Sequence, residues 1–254
     1  ISMGTALPRA LRGREPTLAL GDLDRFGIAG GRDASLEETF ARVYRSDAGT
    51  VVGGAAGEAL EAVRILKAAN PAQYEPAPNV EYPKSTFGRS LRQIAQLIKA
   101  DVGVEISFAD LGGWDTHRAQ GGPTGQLARR FDEMARGISA LYNDLGDRME
   151  DIVVMTMSEF GRTVAENGTG GTDHGHANCM MVMGGQIGGG RILGDWPGLE
   201  REQLYEGRDL ELTTDFRDVF AEIVARHLGA ERMDEIFPGH ATGANRWRGV
   251  LRHA

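Results

Sequence analysis

Ile152-Val153-Val154-Met155-Thr156-Met157-Ser158-Glu159-Phe160-Gly161-Arg162 is the stretch whose reading decides the fold. Its first half is a short, continuous apolar run that follows a charged residue, the pattern of a strand covered on both faces, and it empties into a polar loop. Upstream, Leu127, Phe131, Met134, Ile138, Leu141 and Leu145 recur every three or four residues and predict an amphipathic helix over 126–145. Before that helix, Val104-Glu105-Ile106-Ser107-Phe108 alternates like a half-exposed strand and runs into the loop Leu111-Gly112-Gly113-Trp114-Asp115-Thr116-His117. Downstream, the third strand candidate, 179–183, sits between Gly171-Thr172-Asp173-His174-Gly175-His176 and a glycine loop over 184–190. Strand, helix and strand in that order predict an α/β sandwich with a largely parallel sheet flanked by helices.

Working outward, Ser35 with Glu38 three residues on has the form of a capping box and opens one helix. A second is expected over 58–69, stopped by Asn70-Pro71. The proline-rich stretch 71–83 reads as a connector, and Ser85 caps a helix whose stripe of Leu91, Ile94, Leu97 and Ile98 continues to about Ala100. A last helix, over 213–228, carries Phe216, Val219, Phe220, Ile223 and Val224. The chain reads as one domain, 1–254. Its first part, 1–103, is irregular and helical, 104–229 holds the strands and polar loops, and 230–254 is a poorly patterned tail.

Composition narrows the class. The 254 residues are 41% hydrophobic and 25% charged, which suits a globular protein. Lys plus Arg number 28 against 36 Asp plus Glu, a net charge of −8, opposite to the basic footprint of a nucleic-acid binder. No apolar run approaches the roughly 18 residues that cross a bilayer. The single cysteine, Cys179, excludes an internal disulfide framework and a multi-thiolate metal site, and its apolar run suggests a small core residue.

Of six histidines, His117, His174 and His176 sit in the two loops richest in Gly and Asp. Such loops follow or adjoin predicted strands, beyond whose carboxyl ends open α/β sheets collect ligands. Asp115 and His117 are two apart, so an extended backbone sends both side chains to one side, as it does His174 and His176. Glu159 adds a carboxylate from another direction. Oxygen and nitrogen donors without thiolates suit Zn²⁺, Mn²⁺, Mg²⁺ or Ca²⁺. Each residue also has a plainer use: Asp115 as a cap, His174 as a donor to a carbonyl, Glu159 as the ion-pair partner of Arg162.

The blocks Gly113-Trp114-Asp115-Thr116-His117, Ser158-Glu159-Phe160-Gly161-Arg162-Thr163, Gly171-Thr172-Asp173-His174-Gly175-His176-Ala177-Asn178, Gly184-Gly185 and Thr213-Thr214-Asp215-Phe216-Arg217 carry a resemblance. In order and spacing they resemble the bacterial family catalogued as domain of unknown function 1501, a sulfatase-like branch of the alkaline phosphatase superfamily. The resemblance implies an alkaline-phosphatase-like sandwich with a two-metal site that hydrolyses phosphate or sulfate esters of a small molecule or a polysaccharide. It implies Asp115 and His117 as ligands of one metal, completed by His174 or His176, Glu159 as acidic ligand of the second, and Arg162 as oxyanion partner. Better-known relatives place a histidine directly after that acid, where this chain has Phe160. The resemblance further implies that the nucleophile and the first metal-binding aspartate lie upstream, that the chain is a C-terminal fragment inactive by itself, and that the protein is periplasmic or extracellular. The alternatives are a catalytically silent binding or scaffold module on the same fold and a phosphoglycerate-mutase-like transferase.

Overall fold

A computed structural model describes residues 1–13, 17–23 and 74–252. The helices expected from Ser35 and over 58–69 lie outside the described residues. Labelled in chain order, the elements are β1 (Ser2–Met3), α1 (Thr86–Lys99), β2 (Phe108–Ala109), α2 (Gln126–Leu145), β3 (Val153–Met155), β4 (Val182–Gly184), α3 (Phe216–Arg226) and the short α4 (Met233–Ile236). Among the described residues no helix is long and apolar enough to cross a membrane. The protein is α/β, with small sheets. The chain divides into two compact units: Ile1–Gly112 with Asp132–Leu145, and Gly113–Phe131 with Gly146–Ala254.

In the first unit β1 and β2 pair in parallel, Ser2 against Phe108 and Met3 against Ala109. The expected strand over 104–108 is therefore shorter and displaced toward its C-terminal end. α1 begins as the sequence indicates: the Ser85 side chain accepts from the Gly88 N–H at 3.1 Å, satisfying a donor that the first turn leaves without an intrahelical partner. Its face of Phe87, Leu91, Ile94 and Leu97 is buried, each large side chain contributing ~1.5–3 kcal/mol. The later turns of α2 bury Ala140, Leu141 and Leu145, and with them Asp144. The Asp144 carboxylate is fully enclosed and accepts from the Tyr82 hydroxyl at 2.7 Å, the Ala77 N–H at 2.7 Å, Lys99 Nζ at 2.5 Å and the Tyr74 hydroxyl. Burial alone would raise its pKa, but Lys99 and the hydroxyl donors outweigh that and hold it below the ordinary value. The same enclosure pushes both tyrosine hydroxyls up.

In the second unit β3 and β4 pair antiparallel, Val153 against Gly184 and Met155 against Val182. This corrects the expectation of a largely parallel sheet. Parallel return needs a crossover element, usually a helix, and the intervening residues 156–181 are rich in Gly and Thr with no helical stripe. The strand expected over 179–183 lies later, at Val182–Gly184, and Cys179 is exposed rather than in a core. Asp215 caps α3 by accepting from the Arg217 N–H at 2.9 Å. Ile223 of α3 packs in one core with Ile187, Val250 and Leu251, against Val153, Met155, Val182 and Val219.

The end of the stretch that reads as a tail is thus core. It is held there by two buried carboxylates one turn apart on α3. Glu222 Oε2 accepts from the N–H groups of Gly249 (2.7 Å) and Val250 (3.1 Å), and Oε1 from Leu251 N–H (3.0 Å) and Arg226 (3.1 Å). Asp218 takes His240 Nε2 and Arg246 Nε at 2.9 Å each, and Arg248 at 3.2 Å.

Candidate metal centre

The site is built in the second unit from three stretches of loop. The first, Gly113 to His117, is anchored by Trp114, whose ring meets Phe131 edge-on at 5.0 Å. The second and third, 161–163 and 173–176, form a short antiparallel ladder. Gly161 N–H donates to the His176 carbonyl (3.1 Å), Gly175 N–H to Gly161 (2.8 Å) and Thr163 N–H to Asp173 (3.0 Å), with Arg162 opposite His174. Cross-strand neighbours share a face, so Arg162 and His174 reach the same point. The glycines of these motifs are required by close approach. A Cβ on Gly175 would overlap the Arg162 backbone, and one on Gly171 the His117 backbone. The first loop is joined to the third by the Thr172 N–H on the Thr116 carbonyl (3.2 Å) and by Gln120 Oε1, which accepts from the Thr116 and Thr172 hydroxyls at 2.8 Å each.

Asp115 is the focus. Its Oδ1 lies 3.0 Å from His117 Nε2, 3.0 Å from His174 Nε2 and 2.6 Å from an Arg162 terminal nitrogen. The hydrogen bonds from Arg162 and then His174 hold its pKa below the ordinary carboxylate value. The other ring nitrogen of His117, Nδ1, lies 2.9 Å from Asp173 Oδ1, and Asp173 is likewise lowered, by His117 first and then Asn167. Arg162 also donates through Nε to the Thr172 hydroxyl (3.1 Å) and through its second terminal nitrogen to the Thr172 carbonyl. Three of its five N–H groups are engaged in these contacts, and two remain on its outer nitrogens.

Asp115, His117 and His174 form a group that could hold a metal ion: one ligand atom from each, all within 4.8 Å of one another. Among the candidates named from the sequence, Glu159 and His176 lie outside this group. Glu159 is exposed, and the guanidinium of Arg162 rests on Asp115 rather than on it. His176, also exposed, stacks on Tyr205 with ring centroids 4.2 Å apart and planes 13° from parallel. Phe160 covers one side of His174 at 4.2 Å. Three participants carry no signal that sequence reading caught: Asp173, Asn167 and Gln120. Only Asp173 had one available, its place beside His174 in a block already singled out.

The donor set itself fits a cation. A neutral imidazole has one N–H and one lone pair. His117 has a carboxylate oxygen at each nitrogen, so as a neutral ring it must turn a lone pair toward one of them. A cation between Nε2 and Asp115 removes that repulsion.

The family described as "Protein of unknown function (DUF1501)" matches residues 20–237. The chain belongs to the DUF1501 family. The match spans every loop of the candidate metal centre and ends short of the segment that Glu222 holds. No curated protein and no solved structure shows significant similarity to the chain.

Proposed function

We propose that the protein is a metal-dependent hydrolase of phosphoric or sulfuric esters, a member of the sulfatase-like branch of the alkaline phosphatase superfamily with that superfamily's sandwich fold. The observation that carries this is the convergence of Asp115, His117 and His174 on one point. Two imidazoles and one carboxylate favour Zn²⁺ or Mn²⁺ over Mg²⁺ or Ca²⁺, which prefer all-oxygen sites. Bound there, the ion supplies Lewis acidity, polarising an ester oxygen and offsetting the charge that develops on it.

The chain's own residues do the rest. Asp115 gathers the two imidazoles and the guanidinium on one oxygen. Arg162, locked by Thr172 and Asp115, keeps two N–H groups on its outer edge, the forked pair that suits a tetrahedral oxyanion. Phe160 shields one face of His174 from water. In this reading the nucleophile comes from outside these loops, and the substrate is a small-molecule or polysaccharide ester met in the periplasm or outside the cell.

The test is metal content and Zn²⁺ titration of the purified protein alongside Asp115→Ala, His117→Ala and His174→Ala, with hydrolysis of p-nitrophenyl phosphate and p-nitrophenyl sulfate followed in parallel. Stoichiometric metal that each substitution abolishes is the expected result. Absence of bound metal, or equal affinity in all four proteins, refutes the site; metal without turnover of either ester refutes the hydrolase and leaves a binding module.

A further inference from the structure

We propose that Asp173 is the positioning residue of the metal centre: it takes the proton of His117 Nδ1 and thereby fixes the ring with the Nε2 lone pair facing Asp115 and His174. This rests on the metal reading above and adds to it a residue that touches no ion.

The two carboxylates beside His117 compete for its single proton, since Asp173 Oδ1 is 2.9 Å from Nδ1 and Asp115 Oδ1 is 3.0 Å from Nε2. Distance does not decide between them; the surroundings do. Asp115 Oδ1 already takes a charged donor, the Arg162 guanidinium at 2.6 Å, and faces His174 Nε2 at 3.0 Å, whereas Asp173 Oδ1 has one neutral donor, Asn167, besides the ring. Asp173, by contrast, is held on both sides as an acceptor for His117. Its N–H donates to the Thr163 hydroxyl (3.1 Å), its carbonyl accepts from the Thr163 N–H (3.0 Å), and Asn167 Nδ2 donates to the same Oδ1 that faces the imidazole (3.0 Å).

Asn167 also fixes the other end of the histidine. Its Nδ2 donates to the His117 carbonyl at 2.9 Å, and the Thr169 hydroxyl donates there too, at 2.7 Å. The Asn167 side-chain oxygen is in turn set by the N–H groups of Thr169 (3.0 Å) and Gly171 (3.1 Å). Backbone and ring of His117 are therefore tied to one rigid turn, 167–173, and rotation of the ring would break the Asp173 contact. A ligating histidine whose second nitrogen donates to a carboxylate has its tautomer fixed and its basicity raised, and loss of the carboxylate weakens metal binding about 10–100-fold. The Asp173 side chain is 56% exposed, which places the expected effect at the low end, about 10-fold.

The experiment pairs Zn²⁺ titration of the full chain with NMR of the imidazole nitrogens in ion-free protein at mildly alkaline pH, the His117 signals being assigned by their loss in His117→Gln. The inference expects the Nδ1–H tautomer in the wild type, about 10-fold weaker Zn²⁺ binding with a shift toward Nε2–H in Asp173→Ala, and substantial recovery of both in Asp173→Asn. In that variant Asn167 Nδ2 still donates to the side-chain oxygen at position 173 and keeps that oxygen turned toward the ring. A wild type that binds Zn²⁺ while His117 carries its proton on Nε2 overturns the inference and leaves the metal site standing, as does an Asp173→Ala protein with unchanged affinity. A wild type that binds no Zn²⁺ overturns the metal reading and this inference with it. The wild-type tautomer decides the matter even where Asp173→Ala does not fold.

Discussion

Replacing Glu222 should release the C-terminal segment of the second unit, and the isosteric change should be nearly as harmful as truncation. The carboxylate is wholly buried, and each of its oxygens accepts from two donors: Oε2 from Gly249 and Val250, Oε1 from Leu251 and Arg226. Glu222→Ala leaves backbone N–H groups without partners and a guanidinium without its counter-ion. Hydrogen bonds to a charged group are worth about 1.5–3 kcal/mol each, and breaking a buried pair from one side costs about 3–5 kcal/mol. Taking the latter as the net figure, the loss is a large share of the ~5–15 kcal/mol that holds a typical protein folded. Glu222→Gln does not escape it, because whichever oxygen becomes NH₂ then faces two donors instead of accepting from them. The expected loss is about 2–4 kcal/mol. Urea unfolding followed by circular dichroism gives the magnitude, and limited proteolysis reads the freeing of residues 240–252. A Gln variant as stable as the wild type, or an Ala variant that loses less than about 1 kcal/mol with the segment still protected, refutes the reasoning.

The other expectations are as follows. Asp144→Ala should destabilise the first unit by about 3–5 kcal/mol, measured by urea unfolding, since it strands Lys99, two hydroxyls and the Ala77 N–H around a buried void. Gly175→Ala should abolish Zn²⁺ binding in titration without touching any ligand, because the added Cβ drives the ladder apart at Arg162. Asp215→Ala should cost about 1–2 kcal/mol through loss of the α3 cap. Arg217 holds the Asp215 pKa down to about 2 from 3.8, against a smaller opposing effect of burial. Because the folded value is the depressed one, this stabilisation is complete above the unfolded value and is lost as pH falls from about 4 toward 2. Thermal melts across that range should show a steeper decline in the wild type than in the variant, the other depressed carboxylates being common to both.

The helices were legible because their signals are local. The stripe of Leu91, Ile94 and Leu97 and the cap at Ser85 depend on neighbours within a turn or two, and α1 and α2 stand where those patterns place them, while α3, Phe216–Arg226, is shorter at both ends than the 213–228 its apolar pattern indicates. The sheet was less so. Two short apolar runs carry no mark of relative direction, and their pairing depends on the connection folding as loops. Asp115 and His117 were legible as a pair from their spacing, and His174 from its company. What escaped were long-range polar ties. Glu222 looks from the sequence like one more charge on an exposed helix face, and Asn167 like one more loop residue. Each acts through backbone groups, and backbone groups leave no trace in residue identity.

Because Arg162 and His174 stand opposite one another in the same two-stranded ladder, the centre has a single lever for two of the three contacts to Asp115 Oδ1. Descendants of such a protein cannot trade away the guanidinium or the imidazole by sliding either strand alone; one slip of register removes both together. Loss of an ion held there would therefore be abrupt, arriving with a change at 161–163 or 173–175, while drift of the His176 or Glu159 side chain would leave those contacts as they are.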